Sequence, residues 1–259
     1  MVPGDLRVTQ VAVLGCGPAG LLCAWAVEQA GHTPIIFSRK EKSQIPGSQH
    51  LHGPIPNLTS QYPEGTIQFV RLGTASDYAL KVYGDHTRET GWDNYLQVYP
   101  SWNVINAYEK LWAHYEDTIT DTDVTPEIIQ HLIDMFGDEI ISTLPAKMLC
   151  TNPVHKFRGV PYYIKKLPTP PADEKHELVV YNGLLSDPWY RWSILGGLCS
   201  IESTQPFDDP TDVIVGTKAV DNNCDCWPEV HRAGRWAEWT HGVTMYKAYL
   251  KAYEIARQL

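Results

Sequence analysis

Three glycines at the spacing G-x-G-x-x-G, Gly15, Gly17 and Gly20 in "VAVLGCGPAG" (11–20), carry the clearest chemistry in the chain. The first permits a tight turn, the second lets bare backbone come up to a diphosphate, and the third lets a helix pack close on the preceding strand. Pro18 and Ala19 fall at the opening of that helix, where unpaired N–H groups and the helix dipole favour an anion. The pattern predicts a dinucleotide site. Such a site places an acid on the ribose about 20 residues further on. The equivalent stretch, "IIFSRK" (35–40), offers Ser38, Arg39 and Lys40 instead. Ser38 has a hydroxyl for a ribose, while Arg39 or Lys40 can stack on adenine or meet a phosphate. The same pair suits the 2′-phosphate of NADP. FAD and NADP therefore both stand as readings, beside a glycine turn that binds nothing.

Three further groups of residues have the types that bind or react. "GSQHLHGPIP" (47–56) sets Gln49, His50, Leu51 and His52 in a Pro/Gly loop. If extended, His50 and His52 face one side, where they would meet a planar cofactor or a metal, or be ordinary loop residues. Two histidines with no third ligand make a poor metal site. "CDCW" (224–227) offers Cys224 and Cys226, with His231 close in sequence and Cys199 further off. C-x-C departs from the C-x₂-C of structural zinc, so these cysteines read as structural thiols and no metal is expected. "DPWYRWS" (187–193) combines the flat rings of Trp189 and Tyr190 with the cation of Arg191, which suits a planar or carboxylate-bearing substrate. On a strand, Trp189 and Arg191 share one face and Tyr190 the other. The competing reading is a strand of core aromatics with a snorkelling arginine. Lys147, His155 and Arg158 are weaker candidates, and "HKFRG" (155–159) reads as a loop without a role. No serine nucleophile elbow or Walker loop occurs.

The elements that position these residues begin with a β-branched strand over 10–14, a helix over 19–29 stopped by Gly31, and a second strand over 34–37. Downstream, a strand is expected over 67–72 and helices over 77–84, 104–118 and 125–135. The helix over 104–118 puts Leu111, Trp112 and Tyr115 on one face. Thr125 caps the next helix, with Pro126 at its first position. "DEIISTLPAKMLC" (138–150) reads as a short buried strand ending at a proline. Strands over 177–181, 193–202 and 212–216 make a mostly antiparallel layer, 167–175 is a surface loop, and a last helix covers 243–258. The chain of 259 residues is long enough for one large domain or two small interleaved ones. A net charge of −9 without a basic run argues against tight, direct duplex binding. No apolar run approaches a membrane span, and residues 1–10 do not pattern as a signal peptide. Six scattered cysteines suit reduced thiols in a cytoplasm.

"VAVLGCGPAG", "DEIISTLPAKML" and "AGRWAEWTHGVTMYKAY", in that order, resemble the FAD-binding architecture of the amine oxidases and UDP-galactopyranose mutases. The resemblance implies an α/β fold: a Rossmann-like FAD-binding domain with a small, mostly antiparallel β plus helical substrate domain interleaved. It assigns 1–60, 136–155 and 231–259 to FAD binding, 61–135 to a helical substrate region and 156–230 to an antiparallel one. It also implies cofactor contacts at Thr143 and Pro145, at Gly234, Arg235 and Trp236, and at a helix start at Gly242 and Val243 that faces the flavin. A closer resemblance rests on "GSQHLHGPIP", "YNGLLSDPWYRWSILGG" and "GRWAEW". It is to small FAD-dependent oxidoreductases of bacteriophages and actinobacteria.

The resemblance implies FAD-dependent oxidation or cleavage of a C–N bond in a small amine or amino-acid-type substrate. By analogy with phage thymidine hypermodification, a lyase acting on a glycine-type adduct of a modified DNA base is one form of this. His52 or His241 would set protonation, and Arg191 would hold a carboxylate. A flavin mutase acting on a nucleotide sugar without net redox change, an NADP-binding reductase, and a non-catalytic flavin-binding partner remain as alternatives. The expected partners are a small-molecule or modified-nucleotide substrate, with a second copy or a partner enzyme completing the site. The expected location is a cytoplasm, that of the host cell for a phage protein.

Overall fold

The computed structural model describes residues 8–47, 49–86, 96–168 and 177–259. Its secondary structure divides the chain into two units, one built from 1–44, 106–158 and 221–259, the other from 45–105 and 159–220. In the first, Val11–Leu14 is wholly buried, as a strand covered on both faces must be, and forms β1 (Gln10–Leu14). It pairs in parallel with β2 (Thr33–Ser38) on one side and β6 (Ile140–Ser142) on the other. β12 (Val230–Arg232) adds in parallel to β6, and β5 (Thr120–Asp121) to β2, giving the order β12-β6-β1-β2-β5.

α1 (Pro18–Gln29) makes the β1–β2 crossover, and α4 (Pro126–Phe136) packs Ile129 and Leu132 against Ala12, Leu14 and Ile140. α3 (Val104–Tyr115) buries Leu111 and Tyr115, as the periodicity predicts. From Asn106 onward α3 and α4 belong to this first unit, although the sequence expectation set 61–135 apart. α5 (Ala146–Leu149), α6 (Arg235–Glu238) and α7 (Met245–Ala256) complete it. No helix among the described residues is long and apolar enough to cross a membrane.

The second unit is built on a seven-stranded sheet ordered β11-β7-β10-β9-β8-β3-β4. Its strands are β3 (Gly65–Leu72), β4 (Leu96–Ser101), β7 (Phe157–Leu167), β8 (Glu177–Asn182), β9 (Trp189–Leu195), β10 (Leu198–Ser203) and β11 (Val213–Asn222). Only β3–β8 is parallel among the registered pairs. α2 (Ala75–Tyr83) is capped by Thr74, whose hydroxyl accepts from the Asp77 N–H.

Two expectations are corrected here. The single strand over 193–202 is a hairpin, because Gly196 and Gly197 both adopt positive φ and turn the chain. "HKFRG" is no loop from Phe157 onward; it opens β7. The loop expected over 167–175 lies outside the described residues from Thr169 onward.

A buried polar network sits in this sheet. Along β9 and β10, Glu202 faces Arg191 while Ser203 faces Trp189, so the register slips at Tyr190. The slip breaks strict alternation and lets adjacent side chains reach the same partner. The Tyr190 hydroxyl donates to Glu202 Oε2 at 2.7 Å, and Arg191 Nε donates to Oε1 at 2.8 Å. Lys218 Nζ lies 4.2 Å from the Tyr190 ring centroid. Burial by itself would raise the Glu202 pKa; Arg191, Lys218 and the Tyr190 hydrogen bond outweigh it and hold the carboxyl below 4.5.

A depressed folded-state pKa stabilises above the unfolded value, and that contribution is lost as the pH falls through the folded one. Arg191→Met removes the main counter-charge of the buried Glu202 carboxylate and is expected to cost about 3–5 kcal/mol at pH 7. Tyr190→Phe removes one donor and is expected to cost about 1–3 kcal/mol. Urea unfolding at pH 7 and again below pH 4.5 checks both, with the gap between wild type and Arg191→Met closing in acid.

Candidate nucleotide site

The chain leaves β1 through Gly15, at φ +106°. A Cβ there would lie 2.7 Å from Thr143 Oγ1, and a Cβ on Gly20 would lie 2.0 Å from the Gly15 carbonyl oxygen. Two of the three glycines are thus required by the sterics of the turn. Gly17 differs: a Cβ there would meet only Ser43 Oγ, at an ordinary 3.5 Å, and its φ of −67° suits any residue. The fold does not demand glycine at 17, whereas an approaching ligand does. Gly17 is the N-cap of α1, with no side-chain cap hydrogen bond, Pro18 in the first turn and no acidic residue there. The positive end of the helix dipole is left uncompensated.

Segments distant in sequence converge on this turn. The Thr143 N–H and hydroxyl both donate to the Leu14 carbonyl, each at 2.9 Å. β12 runs beside β6, and the Ala233 N–H donates to the Ser142 carbonyl at 2.9 Å. That places Gly234, at φ +103°, with a hypothetical Cβ 3.6 Å from Ala19 Cβ. Gly234, the N-cap of α6, therefore packs the start of that helix against Ala19 in the first turn of α1. Trp236 is exposed, and Pro145, half-buried, is the N-cap of α5.

The opposite rim is tied by residues that the sequence did not single out. The Cys16 thiol donates to the Arg39 carbonyl at 3.3 Å; the Tyr108 hydroxyl donates to the Cys16 carbonyl at 3.1 Å and accepts from the Ser43 N–H at 3.0 Å. Nothing in the sequence marks Tyr108 beyond its place on the buried face of α3.

Ser38 ends β2, half-buried, and pairs with Asp121 of β5. Asp121 Oδ1 accepts from the Lys40 N–H at 3.2 Å. Arg39 Nε lies 3.7 Å from Asp123 Oδ1, and Lys40 Nζ lies 4.0 Å from Asp117 Oδ1. An acid, Asp121, thus lies beside Ser38 on the neighbouring strand.

Other candidates are placed differently from expectation. Helix α7 starts at Met245, two residues past Val243, because Thr244 caps it and takes the Lys247 N–H at 3.3 Å. Gly242 and Val243 precede that helix, as does half-buried His241. In the second unit, Leu51 is fully buried and bridged to Trp102, so its side chain belongs to the core. The rings of His50 and His52 meet at a tilt of 40°, with centroids 4.3 Å apart. Burial, His52 and Arg191 together hold the His50 pKa down to about 3, which keeps its imidazole neutral. Gln49 and His50 line a cavity of about 10 Å³ with Trp102 and Glu177, about one water in size. Tyr190 is fully buried, Arg191 is engaged by Glu202, and half-buried Trp189 gives its carbonyl to Lys81. The core-aromatic reading of 187–193 fits these contacts.

The expected company of Cys224 and Cys226 is also corrected: the fold groups them with Cys150 and His155, and neither His231 nor Cys199 joins them.

No family model and no curated protein sequence matches the chain. Solved structures do. CtdE in complex with FAD is similar over 98% of this chain and 85% of its own, at 11% identity and a TM-score of 0.57. A geranylgeranyl bacteriochlorophyll reductase-like protein from Thermoplasma acidophilum is similar over 97% and 78%, at 9% identity and a TM-score of 0.54. A 2-methyl-3-hydroxypyridine-5-carboxylic acid oxygenase variant, Y270A, is similar over 97% and 82%, at 11% identity and a TM-score of 0.52. The chain shares the fold of FAD-binding oxidoreductase structures: a Rossmann-like parallel sheet with a second, mostly antiparallel sheet.

The two kinds of glycine separate in a stability measurement. Alanine at 20 would gain about 1 kcal/mol of helix propensity. It would still clash with backbone, so Gly20→Ala is expected to destabilise by about 1–3 kcal/mol or more. Gly17→Ala is expected to stay within about 1 kcal/mol of wild type, the cost of a poorer N-cap. Thermal unfolding of both variants without added ligand reads the difference.

Proposed function

We propose that the chain is an FAD-dependent oxidoreductase whose glycine turn holds the diphosphate of FAD. The observation that carries this reading is Gly17, a glycine that the turn does not need, at the uncapped N-terminus of α1. The FAD in the CtdE complex supports it. The backbone of Gly17 and the N–H groups of Ala19 and Gly20 would hold the diphosphate, with Thr143, Gly234 and Arg235 beside them. Ser38 and Asp121 would meet the ribose, the latter replacing the acid expected on β2. FAD fits these residues better than NADP, because the side chains of Arg39 and Lys40 lie beside Asp123 and Asp117.

Bound FAD would supply the two-electron oxidising chemistry, as acceptor of a hydride equivalent. The residues of this chain bind and orient. His50, neutral at physiological pH, serves as a hydrogen-bonding group and holds no proton to donate as a cation. Arg191 is engaged by Glu202, so in this reading its role is to hold the sheet and not a substrate carboxylate. For substrate we propose a small amine or amino-acid-type molecule oxidised at its C–N bond, a glycine-type adduct on a modified thymidine included. That part rests on the sequence resemblance to small phage and actinobacterial flavoproteins. A second reading, oxygenation with an external reductant, draws on the oxygenase among the similar structures.

The visible spectrum of the purified protein under anaerobic titration distinguishes these. FAD-dependent amine oxidation predicts a yellow protein bleached by a glycine-type or aminomethyl compound alone. Bleaching by NAD(P)H alone would assign the oxygenase reading. A yellow protein bleached by neither would leave the mutase or partner reading, and a colourless protein that takes up NADPH would overturn FAD. Gly17→Ala is expected to weaken FAD binding at least ~10-fold, about 1.4 kcal/mol, with little change in the unfolding of the ligand-free chain.

A further inference from the structure

We propose that Cys150, His155, Cys224 and Cys226 form a closed tetrahedral site for one structural Zn²⁺ ion. Their ligand atoms all lie within 4.8 Å of one another. Cys150 Sγ and Cys226 Sγ are 3.9 Å apart, and His155 Nδ1 is 3.3 Å from the first and 3.6 Å from the second. With zinc–sulfur bonds of about 2.3 Å and zinc–nitrogen bonds of about 2.0–2.1 Å, a tetrahedron has S···S edges of about 3.8 Å and S···N edges of about 3.6 Å. The observed separations match those edges. They do not match a disulfide, whose sulfurs are about 2.05 Å apart.

The surroundings are those of a metal site. His155 turns its other nitrogen, Nε2, to Asp225 Oδ1 at 3.2 Å and Asn152 Nδ2 at 3.1 Å, and its side chain is 9% exposed. A carboxylate on the far nitrogen fixes the tautomer and ring orientation of a ligating histidine. Three thiolates and a neutral imidazole around Zn²⁺ carry a net charge of −1. Arg232 offsets it: Nη2 reaches Cys224 Sγ at 3.5 Å, and the guanidinium also donates to the carbonyls of Cys224 and Cys226, at 3.0 and 2.6 Å. Thr151 Oγ1 lies 3.5 Å from Cys226 Sγ.

The ligands come from two loops, the one between α5 and β7 and the one between β11 and β12, which are also joined by Lys156 N–H to Asn223 Oδ1 at 2.6 Å. Four protein ligands leave no open position, so the site is structural and takes no part in the redox chemistry. Thiolate-rich tetrahedral donors select zinc over magnesium, calcium or manganese.

The test uses the full chain, expressed with zinc and purified with a reductant. Elemental analysis is expected to find about one zinc per chain. The double change C224S with C226S should reduce it to background. Because that variant can fail to fold, Asp225→Asn, at an exposed position, is measured beside it. It should keep the fold and weaken zinc about 10-fold or more in competition with a chromophoric chelator. Removing zinc from wild type should lower the unfolding midpoint, and returning it should restore that midpoint. A folded wild-type chain with no zinc and no gain in stability on adding it would overturn the proposal. A Cys150–Cys226 disulfide in the mass spectrum of freshly purified protein would overturn it as well.

Discussion

The contact between Gly20 and the Gly15 carbonyl sets the geometry of the first unit. With no room for even a Cβ between them, α1 comes down directly onto the end of β1. Small residues then recur wherever other segments approach that helix. Gly234 packs on Ala19 and Ala248, and the buried Cys23 thiol donates to the Ala248 carbonyl at 3.7 Å. Burial raises the Cys23 pKa to about 12, so it packs as a small hydrophobe and not as a nucleophile. A larger side chain at any of these points would move α1, and with it the N–H groups at its start. Positional precision at the turn is thus distributed over residues far apart in sequence.

What the sequence discloses depends on how local the cause is. The β1–α1–β2 unit is legible because strand burial, glycine spacing and helix composition all lie within 30 residues of one another. The helix over 126–136 is legible for the same reason, from Thr125, Pro126 and Glu127 at its start. Pairing across long separations is not. β5 is only two residues long, too short for any period to show, yet it brings Asp121 to Ser38. The alternation rule fails at Tyr190 because the register slips there, which a single strand read alone cannot reveal. Cys150 and His155 stand some seventy positions from Cys224 and Cys226, so spacing within "CDCW" gave no hint of their company.

The second unit handles its buried charge through one carboxylate. Glu202 is 2% exposed and accepts from Tyr190 and Arg191, with Lys218 near. An arginine so placed looks, in sequence, like one awaiting an anion from outside. Its charge is spent on the fold, because leaving Glu202 unpaired would be worse than leaving Arg191 without a ligand.

The same bookkeeping applied to the rim at Ser38 gives the opposite result. Arg39, Lys40 and their aspartates are well exposed, so each pair contributes little to stability and neither partner is locked away. What counts there is the summed field: two cations against Asp117, Asp121 and Asp123 leave that rim net negative. In the proposed FAD reading a ribose hydroxyl needs an acceptor and no cation, which Asp121 beside Ser38 offers. In that reading, Asp121 on the neighbouring strand takes the part of the acid that the fingerprint places at the end of β2.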